Sequence, residues 1–273
     1  MSRLDEAFKH KPIFMPYFPL GYPDIPTSVD VIEALARNGA DLVEVGLSFS
    51  DPLADGPIIQ HATQIALEQG ITIPKALAAV AELRKRGVSI PLILMGYYNP
   101  MFSYGLARFV KDAQAAGADG FIIPDLPPEE EDDFVAALDR GSSSRGSSGV
   151  SRPGTEASLP LIRMLAPTSP GERMERIARE AKGFIYLVSV TGITGERRDI
   201  SGGLAELVAR VRAHTSAPVC VGFGIGTPEQ AKAVGAIADG VIVGSACVRA
   251  IGESKTPVET AGAFAHSFAD ALR

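Results

Sequence analysis

Cysteine is scarce in this 273-residue chain: Cys220 and Cys247 are the only two. Two cysteines cannot build a disulfide framework, which points to a reducing compartment. His10, His61, His214 and His266 are scattered, and no metal-ligand spacing is found, so no metal site is expected. Positive charge is outnumbered, with 26 Lys and Arg against 32 Asp and Glu, a net charge of −6. That balance speaks against nucleic-acid binding driven by phosphate neutralisation. No apolar run approaches the ~18 residues of a membrane span, and Met1 to Glu6 carry no signal-peptide pattern. Also missing are a G-x-x-x-x-G-K-[ST] loop, a G-x-S-x-G elbow and a lysine at a strand end. A soluble, cytoplasmic protein is expected, with neither nucleic acid nor membrane as partner.

What is present is an ordinary core-forming balance, 46% hydrophobic and 21% charged. Eight short apolar runs alternate with longer amphipathic stretches. The runs begin at Ile13, Leu42, Leu92, Phe121, Leu161, Phe184, Val219 and Val241. Each is nearly continuous in large apolar residues, as buried parallel strands are. Helices are expected at 27–38, 103–116, 128–138, 170–182, 203–215, 228–234 and 257–272, several opening with Pro in the first turn. Eight β–α alternations fit an α/β fold of the (β/α)8 TIM-barrel type, with a doubly wound open sheet as the runner-up. One barrel of ~250 residues accounts for the length, so a single domain over 1–273 is expected. Gly39-Ala40-Asp41, Gly117-Ala118-Asp119 and Ala238-Asp239-Gly240 form a faint repeat, each just before an apolar run, as a helix end followed by a strand start would. Residues 140–158 have 11 Gly or Ser among 19 and no periodicity. They read as a flexible insertion between a helix and the next strand, on the N-terminal face; a domain boundary is the competing reading.

Chemistry in such a barrel belongs at the C-terminal strand ends. Glu44 sits inside a strand, where burial raises a carboxyl pKa; the plainer reading is a Glu satisfied by a neighbouring donor. Asp55 lies 11 residues on, in a loop punctuated by Asp51-Pro52 and Gly56-Pro57, and is either a turn residue or a second carboxylate folded over the barrel mouth. Two such groups suit divided acid and base work. Gly222-Phe223-Gly224-Ile225-Gly226 and Val243-Gly244-Ser245 follow the seventh and eighth strands. There a backbone phosphate site at a helix N-terminus is common, although tight turns alone would look alike. Thr227, Pro228 and Gln230 read as a capping box. Residues 189–199 read as a mobile lid in which Arg197 and Arg198 are solvated or reach the phosphate. Cys220 reads as a small core residue.

Glu44-Val45-Gly46 followed by Phe49-Ser50-Asp51-Pro52-Leu53-Ala54-Asp55-Gly56-Pro57-Ile58-Ile59-Gln60 resembles the signature of the tryptophan synthase α-subunit family. Further matches run through Tyr98-Asn99-Pro100, Pro124-Asp125-Leu126-Pro127, Gly192-Ile193-Thr194-Gly195 and Gly244-Ser245, with only 140–158 outside. The resemblance implies a TIM barrel that cleaves indole-3-glycerol phosphate to indole and glyceraldehyde 3-phosphate. It also implies a partner β subunit, in an α2β2 heterotetramer, that holds pyridoxal phosphate and receives the indole; no cofactor is implied in this chain. By the same resemblance Glu44 is the acid/base, Asp55 binds the indole N–H, and Tyr186 stands beside Glu44. Gly195, Phe223, Gly224, Gly244 and Ser245 hold phosphate. Tyr17, Met95 and Ile122 line the indole pocket, and Asp125 and Thr194 couple the second and sixth loops. The alternatives are a stand-alone lyase, a catalytically idle regulatory barrel, and an isomerase of another phosphorylated indole precursor.

Overall fold

The computed structural model describes residues 2–143, 159–188, 200–222 and 224–273. In chain order the elements are α1 (Arg3–Ala7), β1 (Ile13–Pro19), α2 (Ile25–Arg37), β2 (Val43–Gly46), α3 (Pro57–Glu68), α4 (Ile73–Lys85), β3 (Leu92–Met95), α5 (Tyr98–Tyr104), α6 (Leu106–Ala116) and β4 (Gly120–Ile122). There follow α7 (Asp132–Ser143), β5 (Leu161–Leu165), α8 (Gly171–Arg179), β6 (Ile185–Val188), α9 (Ile200–Arg212), β7 (Val219–Gly222), α10 (Pro228–Gly235), β8 (Gly240–Val243), α11 (Ser245–Gly252) and α12 (Pro257–Leu272). The eight strands are parallel and close in sequence order, β8 pairing back onto β1. This is the (β/α)8 barrel, and the open-sheet alternative is excluded.

The strands are largely apolar because both faces are buried, with Glu44 on β2 and Arg163 on β5 as charged exceptions. Ile13, Met15, Ile93, Ile122, Phe184 and Ile242 pack in one cluster in the barrel interior. Their strand neighbours face the helices: Phe14 stacks on Phe268 at 5.3 Å, and Phe121 packs on Phe109 at 5.4 Å.

The faint repeat has a physical basis at the N-terminal end of the barrel. The Asp41 N–H donates to the Phe14 carbonyl while the Phe14 N–H donates to the Asp41 carboxylate at 2.8 Å. Asp119 does the same with Leu92, and Asp239 with Val219, both carboxylates accepting at 2.9 Å. Each Asp therefore clamps the start of one strand to the one before it. Asp119 also pairs with Arg84 and Arg3, and Asp239 with Lys11 and Arg212.

Some boundaries differ from expectation. The helix expected at 103–116 is two, α5 and α6, because Gly105 between them has φ of 93°. Gly117 ends α6 in the left-handed conformation. The helix expected at 128–138 begins only at Asp132 and runs to Ser143, into the Gly/Ser segment. That segment does join α7 to β5; its residues 144–158, and so the flexibility expected of them, lie outside the described residues.

Candidate active site

A cavity of about 330 Å³ opens at the C-terminal mouth of the barrel. Alternation along β2 turns Val43 and Val45 outward and sets Glu44 into the cavity wall. Glu44 is 1% exposed, and its Oε1 has no hydrogen-bond partner among the described residues. The plainer alternative, a donor that satisfies it, is thus not found there. Burial pushes its carboxyl up to about 8.

Asp55 reaches the same cavity from the loop between β2 and α3. Its Oδ2 accepts a hydrogen bond from the Tyr97 hydroxyl at 3.1 Å, and that hydroxyl accepts from the Ala54 N–H at 2.9 Å. Gln60 Nε2 donates to the Asp55 carbonyl at 2.8 Å, and Phe49 packs on the Tyr97 ring at 5.6 Å. Asp55 is drier than a loop residue beside glycine suggests: burial raises its carboxyl, against the lowering hydrogen bond from Tyr97. Tyr97, two residues past the end of β3, was missed by sequence reasoning. Its place just past a strand end was the available signal.

Two tyrosines complete the inner wall by the same device. Tyr17 on β1 and Tyr186 on β6 are both nearly buried. Each lays its ring against a glycine of the next strand, Gly46 and Gly222 respectively, where a Cβ would collide with the phenol. Burial pushes both phenols well above their ordinary range, with Glu44 and Asp55 nearby adding to it. Both rings are therefore neutral hydrogen-bond donors at physiological pH.

Gly224, Gly244 and Ser245 line another wall. The two helix N-termini there are not equivalent. At α10 the expected capping box is formed: Thr227 Oγ1 accepts from the Gln230 N–H at 3.3 Å, and Gln230 Oε1 accepts from the Thr227 and Gly226 N–H groups at 3.2 and 2.7 Å. At α11, Gly244 is the N-cap and, among the described residues, no side chain caps the first turn. The α11 terminus thus keeps its N–H groups for an anion.

Met95 and Tyr17 line the cavity. Ile122 is fully buried in the interior cluster, pairs in register with Met95 and is not part of the cavity wall. Asp125 accepts from the Tyr98 N–H at 2.9 Å, tying the loop after β4 to the segment that carries Tyr97. Gly195, Thr194 and Phe223, with the lid that would hold Arg197 and Arg198, lie outside the described residues. Arg249 on α11 lines the cavity and was not singled out from the sequence. Among the described residues no group of three or more His, Cys, Asp or Glu could hold a metal ion, and no helix is long and apolar enough to cross a membrane.

The family model described as tryptophan synthase alpha chain matches residues 4–272. The tryptophan synthase alpha chain of Chloroflexus aurantiacus is 47% identical over 91% of this chain and 89% of its own length. That of Roseiflexus castenholzii is 46% identical over 93% of each. Among solved structures, an Aquifex aeolicus protein superposes with a TM-score of 0.86 at 35% identity and full coverage of both chains. A tryptophan synthase from M. tuberculosis, in an open form with BRD0059 bound, gives 0.85 at 35% identity, covering 100% of this chain and 99% of that one.

Proposed function

This chain belongs to the tryptophan synthase alpha chain family, and we infer that it works as that enzyme's lyase subunit, cleaving indole-3-glycerol phosphate to indole and glyceraldehyde 3-phosphate. The carrying observation is the pair in the cavity: Glu44, buried with one oxygen that has no partner among the described residues, and Asp55, held by Tyr97.

We propose the following division of labour. Near neutral pH Glu44 is largely protonated, because its pKa is about 8. It donates its proton to indole C3, and the ring nitrogen takes up the resulting positive charge. Asp55 accepts the indole N–H hydrogen bond and balances that charge. The Glu44 carboxylate then removes the proton of the 3′-hydroxyl. The C3–C3′ bond breaks, its electron pair returns to the ring, and the hydroxyl carbon leaves as the aldehyde. The proton given to C3 stays on the indole, and the hydroxyl proton restores Glu44. A single carboxyl serves as acid and then base, which favours a pKa near the working pH. Tyr186 flanks Glu44, and Tyr17 and Met95 shape the apolar pocket. The phosphate sits on the N–H groups of α11 beside Gly224, Gly244 and Ser245, with Phe223 and Gly195 also assigned to it. Asp125 and Thr194 couple the loops.

The chemistry assigned to this chain needs side chains alone, and we assign pyridoxal phosphate to the partner β subunit. The working assembly we propose is an α2β2 heterotetramer in the cytoplasm, which suits two free, buried cysteines. The test is indole release from indole-3-glycerol phosphate by the purified chain, with and without a β subunit. Stimulation by the β subunit is expected. Full activity alone would favour the stand-alone lyase, and no release in either condition would overturn the reading.

A further inference from the structure

The cavity wall is electrically lopsided. Among its described residues Glu44 and Asp55 are the acids, and Arg249 is the sole Lys or Arg. Arg249 stands four residues beyond Ser245 on α11, hence on the same helix face, one turn below the uncapped N-terminus. The arginines at the opposite end of the barrel are engaged: Arg84 holds Asp119 and Arg212 holds Asp239. Arg249, in contrast, has no ion pair or hydrogen bond among the described residues, and it is exposed. A cation left unpaired beside an uncapped helix start fits a ligand anion better than a structural strut. A dianion entering here is also repelled by the Asp55 carboxylate, which favours the orientation that Arg249 attracts.

We propose that Arg249 is a binding residue for the substrate's phosphate, supplying the full positive charge that the backbone N–H groups of α11 lack. This rests on the phosphorylated substrate assigned above. In a chain with a net charge of −6, this local cation is what draws the dianion to the β8 side and leaves the indole end for Glu44 and Asp55. Because the phosphate is gripped alike in ground and transition states, Arg249 acts on binding rather than on the chemical step.

The experiment compares indole release by the wild type, Arg249→Ala and Arg249→Lys, with the β subunit present, and measures inhibition by inorganic phosphate. In Arg249→Ala, KM and the phosphate inhibition constant are expected to rise together by about ten-fold, with kcat within about two-fold of wild type. Arg249→Lys recovers most of the loss, and added salt raises KM of the wild type more steeply than that of Arg249→Ala. Unchanged KM and phosphate inhibition in Arg249→Ala, or a fall in kcat alone, would overturn the proposal. Absence of indole release by the wild type would defeat the function and not this inference. Calorimetric titration with inorganic phosphate then decides it: weaker binding to Arg249→Ala supports it, and equal binding overturns it.

Discussion

Asp119 and Glu44 are both carboxylates set into the barrel, 9% and 1% exposed, the first just before β4 and the second within β2, on the wall of the cavity at the barrel mouth. Asp119 accepts the Leu92 N–H and pairs with Arg84 and Arg3. Glu44 has an oxygen with no partner among the described residues. Asp239 extends the contrast. Burial alone would raise its carboxyl, but the Val219 N–H, Arg212 and Lys11 together hold it below 3.8. Burial of Glu44 goes unanswered, and its carboxyl rises to about 8. One end of the barrel spends its carboxylates on joining strands. The other leaves one unsatisfied, at a cost in stability, so that it can carry a proton near neutral pH.

The most direct way to break this contrast is Glu44→Gln. Turnover should fall by about 10³ or more, read as indole release, with the circular-dichroism spectrum unchanged. The same variant should gain stability. Glu44 binds its proton more tightly folded than unfolded, so its cost is absent below the unfolded value of 4.5 and accumulates as pH rises towards 8. Urea titrations should therefore show wild type and variant equal near pH 4 and the variant ahead by a few kcal/mol at pH 8. If stability did not diverge with pH, the unanswered burial of Glu44 would be wrong.

Asp119→Ala tests the other end. It removes the one carboxylate paired with Arg84 among the described residues, leaving that half-buried cation only the carbonyls of Gly117, Val88 and Ile90, and should cost about 3 kcal/mol in urea unfolding while kcat of the folded enzyme stays within about two-fold. A smaller effect is expected for Tyr97→Phe, which removes the hydroxyl between Asp55 and the Ala54 N–H. At about 1 kcal/mol for the hydrogen bond to Asp55, kcat/KM should fall by about five-fold with little change in stability. Smallest is Asp239→Asn. Its carboxyl is lowered when folded, so its stabilisation is present above 3.8 and lost as pH falls further. The variant should lose about 1 kcal/mol at pH 7, with the two curves converging in acid.

Much of the architecture was legible beforehand. All eight apolar runs contain strands, since a strand buried on both faces is apolar along most of its length. The capping box at Thr227 and Gln230 was equally legible, because its atoms lie within four residues of one another. Boundaries were less so. The break at Gly105 depends on a backbone conformation that a glycine permits but does not announce, and α7 begins only at Asp132 although Pro128 offered a first turn of the kind that Pro57 opens in α3.

By itself, then, the sequence determined what depends on neighbours along the chain: strand type, helix caps, the Gly-Ala-Asp starts and the presence of two carboxylates at a strand end and its loop. Closure of the barrel decided what depends on neighbours across it. It laid Tyr17 on Gly46 and Tyr186 on Gly222, brought Tyr97 to Asp55, sank Ile122 beneath the wall it was expected to form, and left Glu44 Oε1 without a partner among the described residues. Among the same residues it set Arg249 unpaired beside the α11 terminus. A pKa or a vacant helix end is fixed by every group within a few ångströms, and in a closed barrel most of those groups come from other strands.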